Sequence, residues 1–129
     1  MESCPRLGEV QERTNAAAEA VRNSGETLTP QQFGTAVHKN LEIQIKSLED
    51  PNFVAERSLI KSQKENYGTP GSVRIDVLEN TQQGSVCVYD IKTGASGLSL
   101  ARSAEIASEV QAHFPGQERI IVIETRPRK

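Results

Sequence analysis

Hydrophobic and polar positions follow two different periods along the chain, and each period predicts its own type of element. Apolar residues spaced by three or four positions predict helices, whereas alternation at every second position predicts strands. Helices are predicted at residues 9–23, 29–48 and 99–113, and strands at 52–61, 72–78, 85–91 and 119–124. The polar segment at 61–71, with Gly68, Pro70 and Gly71, predicts a loop.

The helix at 29–48 has well-marked ends. Thr29 suits the N-cap position and Pro30 the first helical turn, while Asp50-Pro51 follows the last turn. Apolar residues recur on one side of this helix at Phe33, Val37, Leu41, Ile45 and Leu48. This face is expected to pack on a sheet.

The lengths of the connections predict how the strands pair. The short polar segment at 79–84 predicts an antiparallel hairpin between its two flanking strands. The helix at 99–113 predicts a crossover and hence a parallel last strand. That strand, at 119–124, is nearly all apolar, which is typical of burial on both faces. The predicted fold class is therefore α/β with a mixed central sheet.

The Ala-rich helix at 9–23 has a thin apolar face and is expected to support the fold from outside its core. The chain is accordingly divided into an N-terminal extension at 1–28 and a main domain at 29–129. A chain of 129 residues with 36 % hydrophobic and 25 % charged residues suits a globular domain.

Charge and cysteine content narrow the choice of partners and compartment. The net charge of −2 argues against a uniformly basic nucleic-acid-binding surface, although a local basic groove remains compatible with it. We expect no membrane partner, because no apolar run reaches membrane-spanning length and no signal peptide opens this chain. Cys4 and Cys87 are predicted to be unpaired, as in a reducing compartment.

The charged residues of the hairpin suggest its chemistry. Asp76 is embedded in the apolar first strand, while Asp90 and Lys92 are two apart on the second strand and share a face. Normal hairpin register would bring Asp76 and Asp90 together, and two close carboxylates need a counter-charge. Their hard oxygen atoms suit Mg²⁺ or Mn²⁺, with Zn²⁺ as a further candidate. Lys92 could orient water or stabilise charge on a phosphate.

Four further residues are candidates for a supporting role. Glu56 lies on a partly apolar strand face with Val54, as either a metal ligand or a solvent-facing acid. Arg74 shares a face with Asp76, as its ion-pair partner or as a phosphate contact. His38 and Glu42 flank the apolar face of their helix, where boundary residues without a functional role are common.

The remaining basic and small residues carry weaker signals. Arg102 is expected to face water, and the basic tail of Arg126, Arg128 and Lys129 is expected to be solvated and frayed. The small-residue loop at 93–97 lacks the spacing of a nucleotide-binding P-loop.

Asp76, followed after a hairpin by Asp90-Ile91-Lys92, resembles the PD-(D/E)XK nuclease superfamily. The resemblance covers residues 30–125 and their order of helix, three strands, helix and strand. It implies a restriction-endonuclease-like αβββαβ core, here preceded by an extra helix. It also implies that Asp76 and Asp90 bind metal and that Lys92 helps to activate water.

A narrower resemblance rests on five segments of the chain. Residues 34–38, the strand at 52–61 with Glu56, and residues 71–77, 89–94 and 97–99 are similar to restriction-endonuclease-like toxin modules of secreted bacterial Rhs, contact-dependent inhibition and type VI effectors. That family supplies a further acid from the first strand or helix, here Glu56 or Glu42. One departure is Ile75, where many members of the superfamily have Pro before the first acid.

The resemblance implies a metal-dependent nuclease acting on DNA, with tRNA or other RNA as the alternative substrate. It further implies a delivered antibacterial effector that acts in the cytoplasm of the target cell, together with a cognate immunity protein. A non-catalytic binding module of the same fold is the alternative from a different functional class.

Overall fold

The computed structural model describes residues 3–60 and 72–128, in which three helices and four strands form an α/β fold. The elements are α1 Leu7–Arg22, α2 Pro30–Lys46, β1 Phe53–Ile60, β2 Ser72–Asn80, β3 Ser85–Ile91, α3 Leu100–His113 and β4 Arg119–Thr125. All seven predicted elements are present, with ends shifted by at most two residues. The predicted loop at 61–71 and Lys129 lie outside the described residues. No helix within the described ranges is long and apolar enough to cross a membrane.

The strands form one mixed sheet in the order β1-β2-β3-β4. β1 pairs with β2 in antiparallel fashion. β2 and β3 are antiparallel and β3 and β4 are parallel, which confirms the predicted hairpin and crossover. The prediction that β4 is buried on both faces is confirmed only in part. Ile121 and Ile123 pack against hydrophobic residues on one face and Ile120 and Val122 on the other, but the strand lies at an edge of the sheet and these four residues are only partly buried.

Local hydrogen bonds fix the start of two helices. The Thr29 side chain accepts from Gln32 N at 3.1 Å, while the Gln32 side chain accepts from Thr29 N at 2.9 Å. This reciprocal capping box, with Pro30 in the first turn, confirms the predicted start of α2. Ser99 similarly caps α3 by accepting from Arg102 N at 3.1 Å.

Each face of the sheet carries its own hydrophobic cluster. The face covered by α1 and α2 forms the first cluster, whose largest members include Val37, Leu41, Ile45, Phe53, Val77, Tyr89 and Ile91. The face covered by α3 forms the second cluster, which contains Val73, Ile75, Leu78, Val86, Val88, Ile106 and Val110. The sheet is therefore a central layer between two layers of helix.

The prediction that the N-terminal helix lies outside the core is wrong. Val10, Ala17 and Ala18 of α1 are fully buried in the first cluster. Alanine side chains are short, so a face that looks thin in sequence allows α1 to approach its neighbours closely. The helix thus contributes directly to the core.

The prediction that the two cysteines are unpaired is also wrong, because Cys4 and Cys87 form a disulfide. The segment before α1 lies against β3, where Ser3 O accepts a hydrogen bond from Ser85 Oγ at 2.8 Å. This contact brings Cys4 over Cys87, although the two are separated by 83 residues in sequence. A disulfide is typical of an oxidising compartment rather than a reducing one.

Candidate functional site

The candidate site lies where β2 and β3 separate. Their backbone register runs from Asn80 opposite Val86 to Val77 opposite Tyr89. Beyond that pair, the Asp76 side chain takes the place of a main-chain acceptor, and its Oδ2 accepts from Ile91 N at 2.8 Å. The carboxylate of Asp76 is thereby held in the opening between the two strands.

Asp90 and Lys92 stand on the other side of this opening, as the hairpin register predicts. Lys92 Nζ lies 3.2 Å from Asp90 Oδ2. The Asp90 side chain is only 14 % exposed, so its ion pair with Lys92 is largely shielded from water. Burial, together with the nearby Asp76 charge, raises the pKa of Asp90. The site therefore places a buried carboxylate in an ion pair with a lysine.

A change of face on β1 brings Glu56 to the α2 side of the sheet. Ala55 belongs to the α1–α2 cluster and Val54 packs against the α3 cluster. Regular alternation would place Glu56 with Val54, as the sequence predicts, but Glu56 instead lines a cavity beside α2. The next side chain, Arg57, returns to the α3 side, where it lies 5.8 Å from the Phe114 ring centroid. The prediction that Glu56 and Val54 share a face is wrong.

β2 changes face at the same level. Ile75 is part of the α3 cluster, whereas Val77 is part of the α1–α2 cluster, although regular alternation would place them on one face. Asp76 lies between them and, in the register of the neighbouring pairs, stands opposite Glu56. β1 and β2 therefore change face at the same level, and this places both acids on the α2 side of the sheet.

The backbone of Glu56 is strained at the point where β1 changes face. Its φ angle of 51° lies in the left-handed region, which costs a non-glycine residue about 1 kcal/mol or more. Glu56 Oε1 pairs with Arg74 Nη2 at 3.4 Å, while Oε2 is buried without a hydrogen-bond partner among the described residues. Burial raises the pKa of Glu56. Two roles are predicted for Arg74, as an ion-pair partner of Asp76 or as a phosphate contact. The structure shows an ion pair, but with Glu56.

His38 links α2 to Asp76. Its Nδ1 lies 2.8 Å from Gly34 O, and its Nε2 lies 3.4 Å from Asp76 Oδ2. A carbonyl oxygen only accepts, so Nδ1 donates, and Nε2 faces a carboxylate. The contact with Asp76 is the main reason that the pKa of His38 is raised to about 9. His38 is therefore an imidazolium at neutral pH.

Glu42, the other candidate for the additional acid, is already paired. Lys46 Nζ lies 2.5 Å from its Oε2 and Lys39 Nζ 3.4 Å from its Oε1. These lysines lower the pKa of Glu42. Glu42 lines the cavity that contains Glu56, but its oxygens face cations of its own helix. Glu56 therefore has the freer carboxylate of the two.

Two adjoining cavities meet at His38, Arg74, Thr93 and Gly94. The one beside α2, which contains Glu42 and Glu56, has a volume of about 540 Å³. The other has a volume of about 390 Å³ and contains Asp76, Asp90, Lys92 and Arg102. Arg102, predicted to face water, lines this second cavity with 41 % of its side chain exposed. Arg74, Lys92 and Arg102 thus line the same cavity as Asp76 and Asp90, although Arg102 Nη1 also pairs with Glu105 Oε1 at 2.6 Å.

Sequence reasoning missed the residues that shape the wall of these cavities. A Cβ atom on Gly34 would lie 2.7 Å from Thr93 Oγ1, so α2 approaches the loop after β3 closely. Glycine inside a helix is the sequence signal that could have indicated this approach. Arg126 is not frayed, because its guanidinium donates to the carbonyls of Gly94 and Ser96. Nothing in the local sequence indicates that contact.

The acids of the site fit a metal ion only in part. Among residues 3–60 and 72–128, no group of three His, Cys, Asp or Glu side chains is arranged to hold a metal. A buried oxygen without a hydrogen-bond partner among these residues nevertheless remains on Glu56, and the Asp90 carboxylate is buried in its ion pair with Lys92. Mg²⁺ is commonly held by one or two carboxylates together with water and substrate phosphate. The donor set fits that mode of binding.

Comparisons with models of protein families, with curated proteins and with solved structures give no match to this chain.

Proposed function

We propose that this protein is a metal-dependent nuclease that hydrolyses phosphodiester bonds, with DNA as the substrate and a PD-(D/E)XK-like core. The observation that carries the proposal is the placing of Asp76, Asp90 and Lys92 at the opening between β2 and β3. Glu56 Oε2 is buried without a hydrogen-bond partner among the described residues, and such burial is costly unless a cation or a proton joins the oxygen. A cation bound at the cavity that Glu56 lines would satisfy this oxygen.

Asp76, Asp90 and Glu56 would hold Mg²⁺ or Mn²⁺. A bound divalent cation supplies charge neutralisation at the phosphate and a lower pKa for water. Asp76 is fixed for this role by Ile91 N on the strand side and by His38 on the helix side.

Lys92 would donate a hydrogen bond to the attacking water or to a phosphoryl oxygen, because its ammonium group stands beside Asp90 in the same cavity. Arg74 and Arg102 approach this cavity from β2 and from α3. They would bind phosphates that flank the reacting group, since guanidinium groups match phosphate oxygens in charge and geometry.

The direct test incubates the protein with plasmid DNA and with tRNA, with and without Mg²⁺. We expect Mg²⁺-dependent cleavage of DNA, which Lys92→Ala abolishes. Lys46→Ala is the matched control, because Lys46 is 59 % exposed and pairs with Glu42 on α2, away from Asp76 and Asp90. Absence of cleavage of either nucleic acid by the unaltered protein would contradict the proposal, and cleavage of tRNA alone would change the substrate.

The further proposal is a role as a delivered antibacterial effector, restrained by a cognate immunity protein and acting in the cytoplasm of a target cell. Its support is the likeness of residues 34–38, 52–61, 71–77, 89–94 and 97–99 to toxin modules. Expression in a bacterial cytoplasm should arrest growth, whereas Lys92→Ala should not. Equal growth of both strains, with both proteins present in soluble form, would argue against an effector.

A non-catalytic binding module of this fold is the second candidate. The observation in its favour is that no group of three metal-binding side chains is preformed among the described residues. A protein that binds Mg²⁺ or Mn²⁺ gains stability by linkage, so its melting temperature should rise with metal concentration. Asp90→Asn should lose this rise. A melting temperature that is independent of both metals would favour the binding module.

A further inference from the structure

The loop at 93–98 follows Lys92 directly and ends where α3 begins. On one side it meets α2, where only the absence of a side chain on Gly34 leaves room for Thr93 Oγ1. Residues 93–96 line the cavity that contains Lys92 and Arg102. The conformation of this loop therefore sets one wall of the candidate site.

On its other side the loop is held by an ion pair at the end of β4. Arg126 donates to Gly94 O, to Ser96 O at 3.1 Å and to Glu124 Oε2 at 2.9 Å. Glu124 Oε1 accepts from Leu98 N at 2.6 Å. The planar fork of one guanidinium can hold two carbonyl groups at once, which the single ammonium group of lysine does less well.

Two further contacts show that this arrangement is closely fitted. A Cβ atom on Gly97 would lie 2.9 Å from Glu124 Oε1, so a side chain at that position would displace the carboxylate. The main chain of Arg126 is itself fixed, because Gln11 Nε2 of α1 donates to its carbonyl oxygen at 2.6 Å. α1, the end of β4 and the loop therefore form one connected unit.

We propose that Glu124 and Arg126 form a brace that preorganises the loop at 93–98 to receive a sugar-phosphate backbone, which makes Arg126 a positioning residue. The part concerning substrate rests on the proposed nuclease function. Without the brace, substrate would have to order the loop on binding, and that loss of entropy weakens binding. Lys92 would keep its place, because its amide donates to Thr125 O at 3.0 Å independently of the brace.

Steady-state cleavage by variants tests this role. Arg126→Ala and Glu124→Ala should each raise KM about tenfold and change kcat by less than about twofold, as expected for a loss of preorganisation. Arg126→Lys should recover part of the loss. Arg128→Ala is the matched control, because it removes the same charge from an exposed position two residues further on, and it should leave KM unchanged.

The Glu124 variant separates a brace from direct charge attraction. If Arg126 simply attracted phosphate, removal of the neighbouring negative charge of Glu124 would lower KM, opposite to the effect of Arg126→Ala. Such opposite shifts would overturn the brace. A fall in melting temperature and in kcat with unchanged KM would overturn it too, because that pattern indicates a purely structural role.

Hydrogen exchange tests the brace without any activity. The Leu98 amide, which donates to Glu124, should be protected in the unaltered protein and in Arg128→Ala, and should lose protection in Arg126→Ala. Unchanged protection in Arg126→Ala would refute the brace. If the protein cleaves no nucleic acid, the proposed function fails, while this exchange measurement still decides whether the loop is held.

Discussion

Glu79 and Asp90 lie on the same pair of strands, and both are shielded from water, yet their carboxylates have different surroundings. Near the turn of the hairpin, Glu79 is 4 % exposed and accepts a hydrogen bond from Tyr89 Oη at 2.6 Å. At the open end of the hairpin, Asp90 Oδ2 lies 3.2 Å from Lys92 Nζ, and both side chains line a cavity.

The strand pairing explains this difference. Glu79 lies opposite Cys87 within the continuous register, and the disulfide from Cys87 to Cys4 covers that end of the hairpin. Burial and the neighbouring carboxylate raise the pKa of Tyr89, so its hydroxyl stays protonated and donates. Beyond Val77 the strands separate, and the ion pair of Asp90 and Lys92 faces a cavity. The hydrogen bond of Glu79 is enclosed at the closed end, whereas the ion pair of Asp90 at the open end lies where a ligand can reach it.

The largest expected effect is at the open end. Asp90→Asn should reduce cleavage about 10³-fold or more, as expected when a group that stabilises the transition state is lost. It should not lower the free energy of unfolding, because it removes a buried charge next to Asp76. Plasmid cleavage and urea unfolding measured on the same preparation check both parts. A large loss of stability would instead make Asp90 a structural acid like Glu79.

Removal of the disulfide should give the next largest effect, confined to the closed end. A cross-link between positions separated by 83 residues stabilises by about 4 kcal/mol in the chain-entropy model. The double variant Cys4→Ala, Cys87→Ala should lose about that much free energy of unfolding while cleavage per folded molecule stays unchanged. A reductant should destabilise the unaltered protein but not the variant. Equal sensitivity of both proteins would show that the cysteines are unpaired.

Glu79→Ala should lower the free energy of unfolding by about 2 kcal/mol, because it leaves the Tyr89 hydroxyl buried without its acceptor. Cleavage per folded molecule should remain as before. A double-mutant cycle with Tyr89→Phe should show coupling, since the two side chains form one hydrogen bond. Loss of cleavage in the stable fraction of Glu79→Ala would contradict the distinction between the two ends.

The smallest effect concerns His38 in the metal-free protein. Its pKa of about 9 exceeds the ordinary value of 6.5, so its contribution to stability is complete below pH 6.5 and is lost as pH rises through 9. The loss should be about 2 kcal/mol or less, because 26 % of the side chain remains exposed to solvent. His38→Gln should flatten this part of the stability profile. A profile identical to that of the unaltered protein would show that the ion pair with Asp76 contributes nothing.

The order and type of the elements could be predicted because local patterns encode them. Apolar spacing and the Thr29-Pro30 start identified α2, and the length of the segment at 79–84 identified the hairpin. The hairpin register then places Asp76 near Asp90 and Lys92. These features depend on residues close together in sequence, where periodicity and connection length suffice.

The remaining features depend on contacts between distant segments. The disulfide requires the N-terminal segment to lie against β3, and the burial of α1 requires close approach by its small alanines. No local pattern reports either contact. The edge position of β4 likewise follows from the strand order, which hydrophobicity alone does not give.

Glu56 shows this limit at the site itself. The sequence by itself determined that an acid lies on β1 and that Asp76, Asp90 and Lys92 share the hairpin. Only the tertiary structure decided that Glu56 lies with these residues on the α2 side of the sheet, and not with Val54 on the α3 side. Its φ angle of 51°, matched by the change of face on β2, places it there. Alternation predicts a side chain's face only while backbone angles stay regular. Packing on both faces of the sheet holds this irregular backbone in place. The pattern of apolar and polar residues along a strand contains no information about that packing.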